Sequence, residues 1–92
     1  MESSEHRIRF GLRVRELRMH PRRATGKKPR SQERFADDIG MDRTYIGGIE
    51  RGRRNPTLDV IVRLAEGLGV PPAELLRTDG RPRKSTRGDV GR

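Results

Sequence analysis

The side chains of this sequence that could carry chemistry are mostly arginines, and their chemistry is the grip on anions and on flat hydrogen-bonding edges. Lys and Arg total 22 against 13 Asp and Glu, a net charge of +9. A guanidinium offers its N–H donors as a rigid fork and accepts nothing. Little else here forms a reaction centre. His6 and His20 stand apart and give no support to a His-built metal site. Cysteine is absent, which excludes disulfides, thiolate nucleophiles and Cys-built zinc sites and fits a reducing cytosol. No Ser/His/Asp set, phosphate-binding Gly loop or paired-carboxylate pocket occurs, and Asp37-Asp38 reads as an exposed helix end. The expectation is a non-enzyme without cofactor or metal. Its basic excess points to a polyanionic partner, most often nucleic acid.

The charge is unevenly spread. The stretch 20–30 carries Arg22, Arg23, Lys27, Lys28 and Arg30 with no acid, and 77–92 carries six bases against Asp79 and Asp89. Between them, 31–76 is slightly acidic and holds most of the hydrophobic residues. With 29% hydrophobic residues in 92, the core cannot extend over the whole chain. The predicted organisation is a flexible N-terminus at 1–7, a folded unit at 8–76 with a loose basic insert at 20–30, and a disordered basic tail at 77–92. The longest interior apolar run is Val60-Ile61-Val62, so no membrane span and no signal peptide is expected.

Positioning these groups requires helices. Phe10, Val14 and Leu17 recur at helical spacing, and Pro21 ends that helix near His20. Ser31 caps a second helix to about Ile39 with Phe35, Ala36 and Ile39 inward; Arg34 stands where a capping box would have Glu. Gly40 ends it, and Asp42 caps a third helix over 43–51 with Ile46 and Ile49 inward. Thr57 caps a fourth, with Leu58, Ile61, Leu64, Ala65 and Leu68 inward and Gly67 and Gly69 weakening and ending it. Pro71-Pro72 opens a short fifth through Leu75 and Leu76. Nothing alternates as a strand does. The fold class is all-α, with five helices.

Helices two and three are joined only by Gly40-Met41-Asp42, the mark of a helix-turn-helix. Ala36 is small where the third helix must cross, and Ile46 and Ile49 wedge that helix onto the core. On Ser31-Gln32-Glu33, Gly40 to Ile46, Ile49-Glu50-Arg51-Gly52, Arg54-Asn55-Pro56 and Leu64 to Val70, residues 8–76 resemble the Cro/repressor-type (XRE-like) helix-turn-helix family. Asp42 to Pro56 is similar to the controller proteins of restriction–modification systems.

The resemblance implies a five-helix lambda-repressor-like domain and a sequence-specific transcriptional regulator in the prokaryotic cytoplasm, at the nucleoid. It would bind a palindromic operator on double-stranded DNA as a homodimer, its third helix in the major groove. Arg43, Thr44, Gly47 and Gly48 then occupy base-facing positions, and Gln32 a phosphate or flanking-base contact. Tyr45, Arg51 and Asn55 match phosphate-holding positions, although Tyr45 also suits the core edge. Arg18 and Glu50 match an ion pair bracing helix one against helix three. Val70, Pro72, Leu75 and Leu76 form the implied dimer surface, or else the monomer core. An arginine in the first turn of a groove-entering helix can fork onto guanine O6 and N7, roughly 1–3 kcal/mol of discrimination.

Two features depart from the family. Gly47-Gly48 removes side chains from the reading helix, so base readout is expected to rest on Arg43 and Thr44, with backbone approach or DNA shape adding the rest. The insert replaces a short connection, and Arg30 stands where an apolar anchor is usual, which predicts looser docking of helix two. Arg22, Arg23, Lys27, Lys28 and Arg30 are candidate accessory phosphate contacts; the other reading is a solvated loop. In the tail, Arg81, Arg83 and Lys84 are further candidates. Gly80-Arg81-Pro82 resembles an AT-hook centre, and a generic basic tail is the alternative. A second functional reading is an antitoxin or anti-repressor acting mainly through a protein partner.

Overall fold

A computed structural model describes residues 5–77; the tail candidates Arg81, Arg83 and Lys84 lie outside the described residues. The order is α1 (Glu5–Met19), a 3-10 turn (Arg23–Thr25), α2 (Gln32–Ile39), α3 (Arg43–Glu50), α4 (Leu58–Leu68) and α5 (Pro72–Leu75). Among the described residues there is no strand, and no helix is long and apolar enough to cross a membrane.

Helix α1 starts before the expected 8, inside the stretch read as a flexible N-terminus. Local contacts explain this: Arg9 pairs with Glu5 one turn away at 2.9 Å. Ile8 also backs onto Gly52, where an added Cβ would lie 2.6 Å from the Ile8 Cγ1. Phe10, Val14 and Leu17 are buried as the spacing predicts. Between them, a Cβ on Gly11 would fall 2.2 Å from the Ile49 carbonyl oxygen, so only glycine lets α1 cross this close to α3.

The caps follow the sequence. Ser31 Oγ accepts from the Arg34 N–H at 3.0 Å, Asp42 Oδ1 from Thr44 at 3.1 Å and Thr57 Oγ1 from Val60 at 3.2 Å. Gly40 takes φ +71°, and the Met41 N–H donates to the Ala36 carbonyl at 2.8 Å, closing α2 and turning the chain into α3. Phe35, Ala36, Ile46, Ile49, Leu64, Ala65 and Leu68 form the core with the α1 face. Leu58, expected inward, is 71% exposed. It shares a side of α4 with Val62, one turn on, away from the buried Leu64 and Leu68. Gly67 does more than weaken α4. A Cβ there would stand 2.3 Å from the Ile39 Cγ2 and 3.0 Å from the Phe35 ring, so α2 and α4 cross over it.

The 20–30 segment is fastened rather than loose. Thr25 Oγ1 donates to the Arg22 carbonyl at 2.7 Å and accepts from the Lys27 N–H at 3.0 Å, shaping the 3-10 turn. Arg30 is itself the anchor. Its guanidinium pairs with Asp38 at 3.0 Å, donates to the Gly67 carbonyl at 2.8 Å and stacks 4.9 Å from the Phe35 ring centroid. The Arg30 carbonyl accepts from Arg18 Nη1 at 2.7 Å. The hydrogen bond from Arg30, then the charge of Arg34 and its hydrogen bond, hold the Asp38 carboxyl below its ordinary value against some desolvation. Thus a cation covers the core edge where an apolar side chain was expected, and helix two is tied at both ends.

Glu74 on α5 is the second fastening. Its carboxylate takes Arg13 from α1, Arg22 from the insert at 2.7 Å and Arg77 at 3.0 Å. The Arg13 Nε also donates to the Glu74 carbonyl at 3.1 Å. Burial pushes this carboxyl up, but the Arg13 hydrogen bond and the charges of Arg22, Arg77 and Arg13 outweigh it and leave it below its ordinary value.

Candidate nucleic-acid interface

Helix α3 is held by a buried ion pair. Arg18 Nε and Nη2 donate to the two Glu50 oxygens at 2.7 and 2.8 Å, with both side chains no more than 5% exposed. Gln32 Nε2 donates to Glu50 Oε1 at 2.9 Å, so one buried carboxylate joins α1, α2 and α3. The Gln32 amide nitrogen, expected at a phosphate or a flanking base, here donates inward to this pair.

From this base the N-terminal turn of α3 projects outward. Arg43 and Thr44 are exposed side by side, with none of their side-chain groups bonded within the described residues. Tyr45 is half-buried against the core. The Arg54 guanidinium lies over its ring, 5.5 Å from the centroid. Tyr45 thus sits at the core edge and supports a cation on its outer side.

The two glycines do not present bare backbone. Both are buried. A Cβ on Gly48 would lie 2.9 Å from the Arg54 Cγ. One on Gly47 would lie 3.3 Å from Arg51 Nη1 and 3.4 Å from Gln32 Oε1. The chain leaving α3 folds back at Gly52, where the Arg53 N–H donates to the Gly48 carbonyl at 2.8 Å. That return lays the Arg54 side chain over Gly48, while Arg51, one helical turn on from Gly47, covers that glycine. In this structure the backbone at the glycine pair is therefore covered by arginine side chains.

Asn55 is exposed beyond α3 and lines a small hollow with Arg7, Phe10, Pro56 and Leu76. Arg23, Lys27 and Lys28 are exposed. Arg22 and Arg30, expected among the phosphate contacts, are instead committed within the fold, Arg22 to Glu74 and Arg30 to Asp38 and Gly67. Of the four residues proposed for a dimer surface, Leu75 is fully buried in the monomer and Val70 is half-buried against the core. One step on a helix turns a side chain by about 100°, so Leu76 points out and is 54% exposed.

In sequence Arg54 reads only as part of the Arg54-Asn55-Pro56 motif, with no site role of its own. The signal is present, a glycine followed six residues later by an arginine, but only the reversal at Gly52 brings the two together.

Comparison with known proteins agrees with this geometry. A helix-turn-helix family profile matches residues 27–75. The chain belongs to the helix-turn-helix family of DNA-binding transcriptional regulators. Within that family it is 43% identical over 70 residues to the control protein C.BamHI of Bacillus amyloliquefaciens, covering 76% of this chain and 79% of the relative. It is 41% identical over 69 residues to the control protein C.MunI of a Mycoplasma species, covering 75% and 85%. The crystal structure of the restriction–modification controller protein C.AhdI from Aeromonas hydrophila superposes with a TM-score of 0.60 at 47% identity, over 74% of this chain and 92% of that one. These relatives support the resemblance to the helix-turn-helix family and its controller proteins.

Proposed function

We propose that this regulator reads a palindromic operator as a homodimer, with α3 in the major groove and Arg43 and Thr44 on the bases. The observation that carries this reading is the exposed Arg43-Thr44 pair at the outward end of a helix clamped by Arg18–Glu50. A fork of donors discriminates best when its helix cannot shift. Arg51, Arg54 and Asn55 hold phosphate or groove edges beside it, and Tyr45 steadies Arg54. The backbone N–H of Gln32 at the start of α2 adds to its phosphate contact, since one of its two side-chain N–H donors serves Glu50. Arg23, Lys27 and Lys28 add sequence-independent grip.

Dimerisation brings two such helices to half-sites about one DNA turn apart. Leu58, Val62 and Leu76 leave apolar surface on α4 and after α5, at 71%, 36% and 54% exposure. With Pro72 they form the proposed pairing surface, in place of the buried Leu75. The similarity to control proteins supports an operator at the genes of a restriction–modification locus.

The test is selection of bound duplexes from a random pool, followed by the same selection with Arg43→Ala. A two-fold symmetric site that loses its preferred bases in the variant, with non-specific binding retained, supports the reading. An unchanged site refutes the role of Arg43. Sedimentation showing only monomer, free and on DNA, refutes the dimer.

A further inference from the structure

One basic surface lies outside the α3 face. Two shallow concavities share Lys27, Arg30 and Asp38 and merge into a single trough along α2. The first also meets Lys28 and Arg34, and the second meets Arg63 of α4. Ser31, Arg34 and Asp38 follow one another down the same side of α2 at helical spacing, so the trough runs the length of that helix. Its two acids do not neutralise it. Asp38 is shared by Arg30 and Arg34, at 3.0 and 3.3 Å, and Glu66 stands against the rest. Lys27, Lys28 and Arg63 are exposed, and no acid among the described residues pairs with them.

The dimensions suit a nucleic-acid strand. Eight residues of helix span about 12 Å, the axial rise of three to four nucleotides at 3.4 Å each. One end of the trough, at Ser31 and Lys28, adjoins the start of α2, where phosphate is already placed in the reading above. The other end meets Ile39 at the close of α2 and Arg63 of α4.

We propose that the DNA flanking each half-site follows this trough, its phosphates held by Lys27, Lys28, Arg34 and Arg63, so that the duplex is drawn against the side of the protein. The inference rests on the operator reading above and extends it. It adds a sequence-independent footprint of three to four base pairs outside the recognised bases, and a preference for flexible TA or CA/TG steps in that flank.

The test uses the full chain and two duplexes carrying the selected site, one with flanks of about ten base pairs and one trimmed to the recognised bases. Arg34→Ala with Arg63→Ala should weaken binding to the long duplex about tenfold and flatten its salt slope by about 1.8, the value for two phosphates. Binding to the trimmed duplex should not change. The bend measured by circular permutation of the long site should fall. Equal losses on both duplexes, or none on either, overturn the proposal. So does tight binding of poly-glutamate that the double variant abolishes, which would assign the trough to an acidic protein. Absence of any sequence preference in the unaltered chain would instead refute the operator reading itself.

Discussion

Arg54 lies across Gly48, its Cγ 2.9 Å from the point where a methyl group would begin, and its guanidinium rests on the Tyr45 ring. The glycine is therefore a seat for a side chain from the following turn.

Gly48→Ala separates stability from binding. Alanine favours the helix by about 1 kcal/mol, yet its methyl displaces Arg54. The melting temperature should hold or rise, while affinity for the selected duplex falls about threefold to tenfold, a loss of roughly 1 kcal/mol. Parallel thermal melts and DNA titrations check this. A loss of stability with unchanged affinity would contradict it.

The Arg18–Glu50 pair makes a different prediction. Removing one partner strands a buried charge and should cost about 3–5 kcal/mol, as in Arg18→Met. Replacing both, Arg18→Met with Glu50→Leu, should recover more than half of that in urea denaturation. The double variant should still bind DNA more weakly, because Gln32 loses its acceptor and α3 its fixed position.

Arg30 should behave as a structural residue. Arg30→Ala removes charged hydrogen bonds to Asp38 and the Gly67 carbonyl together with the cover over Phe35. A destabilisation of about 2 kcal/mol is expected. Arg30→Met, which keeps the apolar stem, should restore part of it. Chemical denaturation decides between this role and a DNA contact, since loss of a phosphate contact would leave stability intact.

Glu74 predicts a pH dependence. Its folded carboxyl lies below its ordinary value, because its arginine partners outweigh the cost of burial. The fold therefore favours the ionised form. That contribution is fully present above the unfolded value and drains away as pH falls through the folded one. Glu74→Gln should lower the melting temperature at neutral pH by about 4–8 °C for a loss near 1 kcal/mol. The melting curves of the two proteins should converge in acid. A gap that persists unchanged into strong acid would show that Glu74 acts by shape alone.

Local signals determined much of this protein. Helix caps at Ser31, Asp42 and Thr57, the turn at Gly40 and the inward faces of α1, α2 and α3 depend on residues within one or two turns of each other, so they are legible in order along the chain. The same holds for exposed Arg43 and Thr44, which follow directly from an N-cap at Asp42. Only tertiary structure decided which cations are free. Arg22, Arg30 and Lys28 read alike in a basic string, yet Arg22 meets Glu74 from 52 positions away and Arg30 meets Gly67 from 37. Lys28 meets no acid among the described residues. The same distance in sequence hid the purpose of two glycines. Gly11 and Gly67 make room for Ile49 and Ile39 across helix crossings, whereas Gly47 lies one helical turn from Arg51 and only Gly48 meets its arginine, Arg54, across a reversal. Charge and conformational freedom can be read from residue type, whereas pairing and close approach depend on what the fold brings alongside.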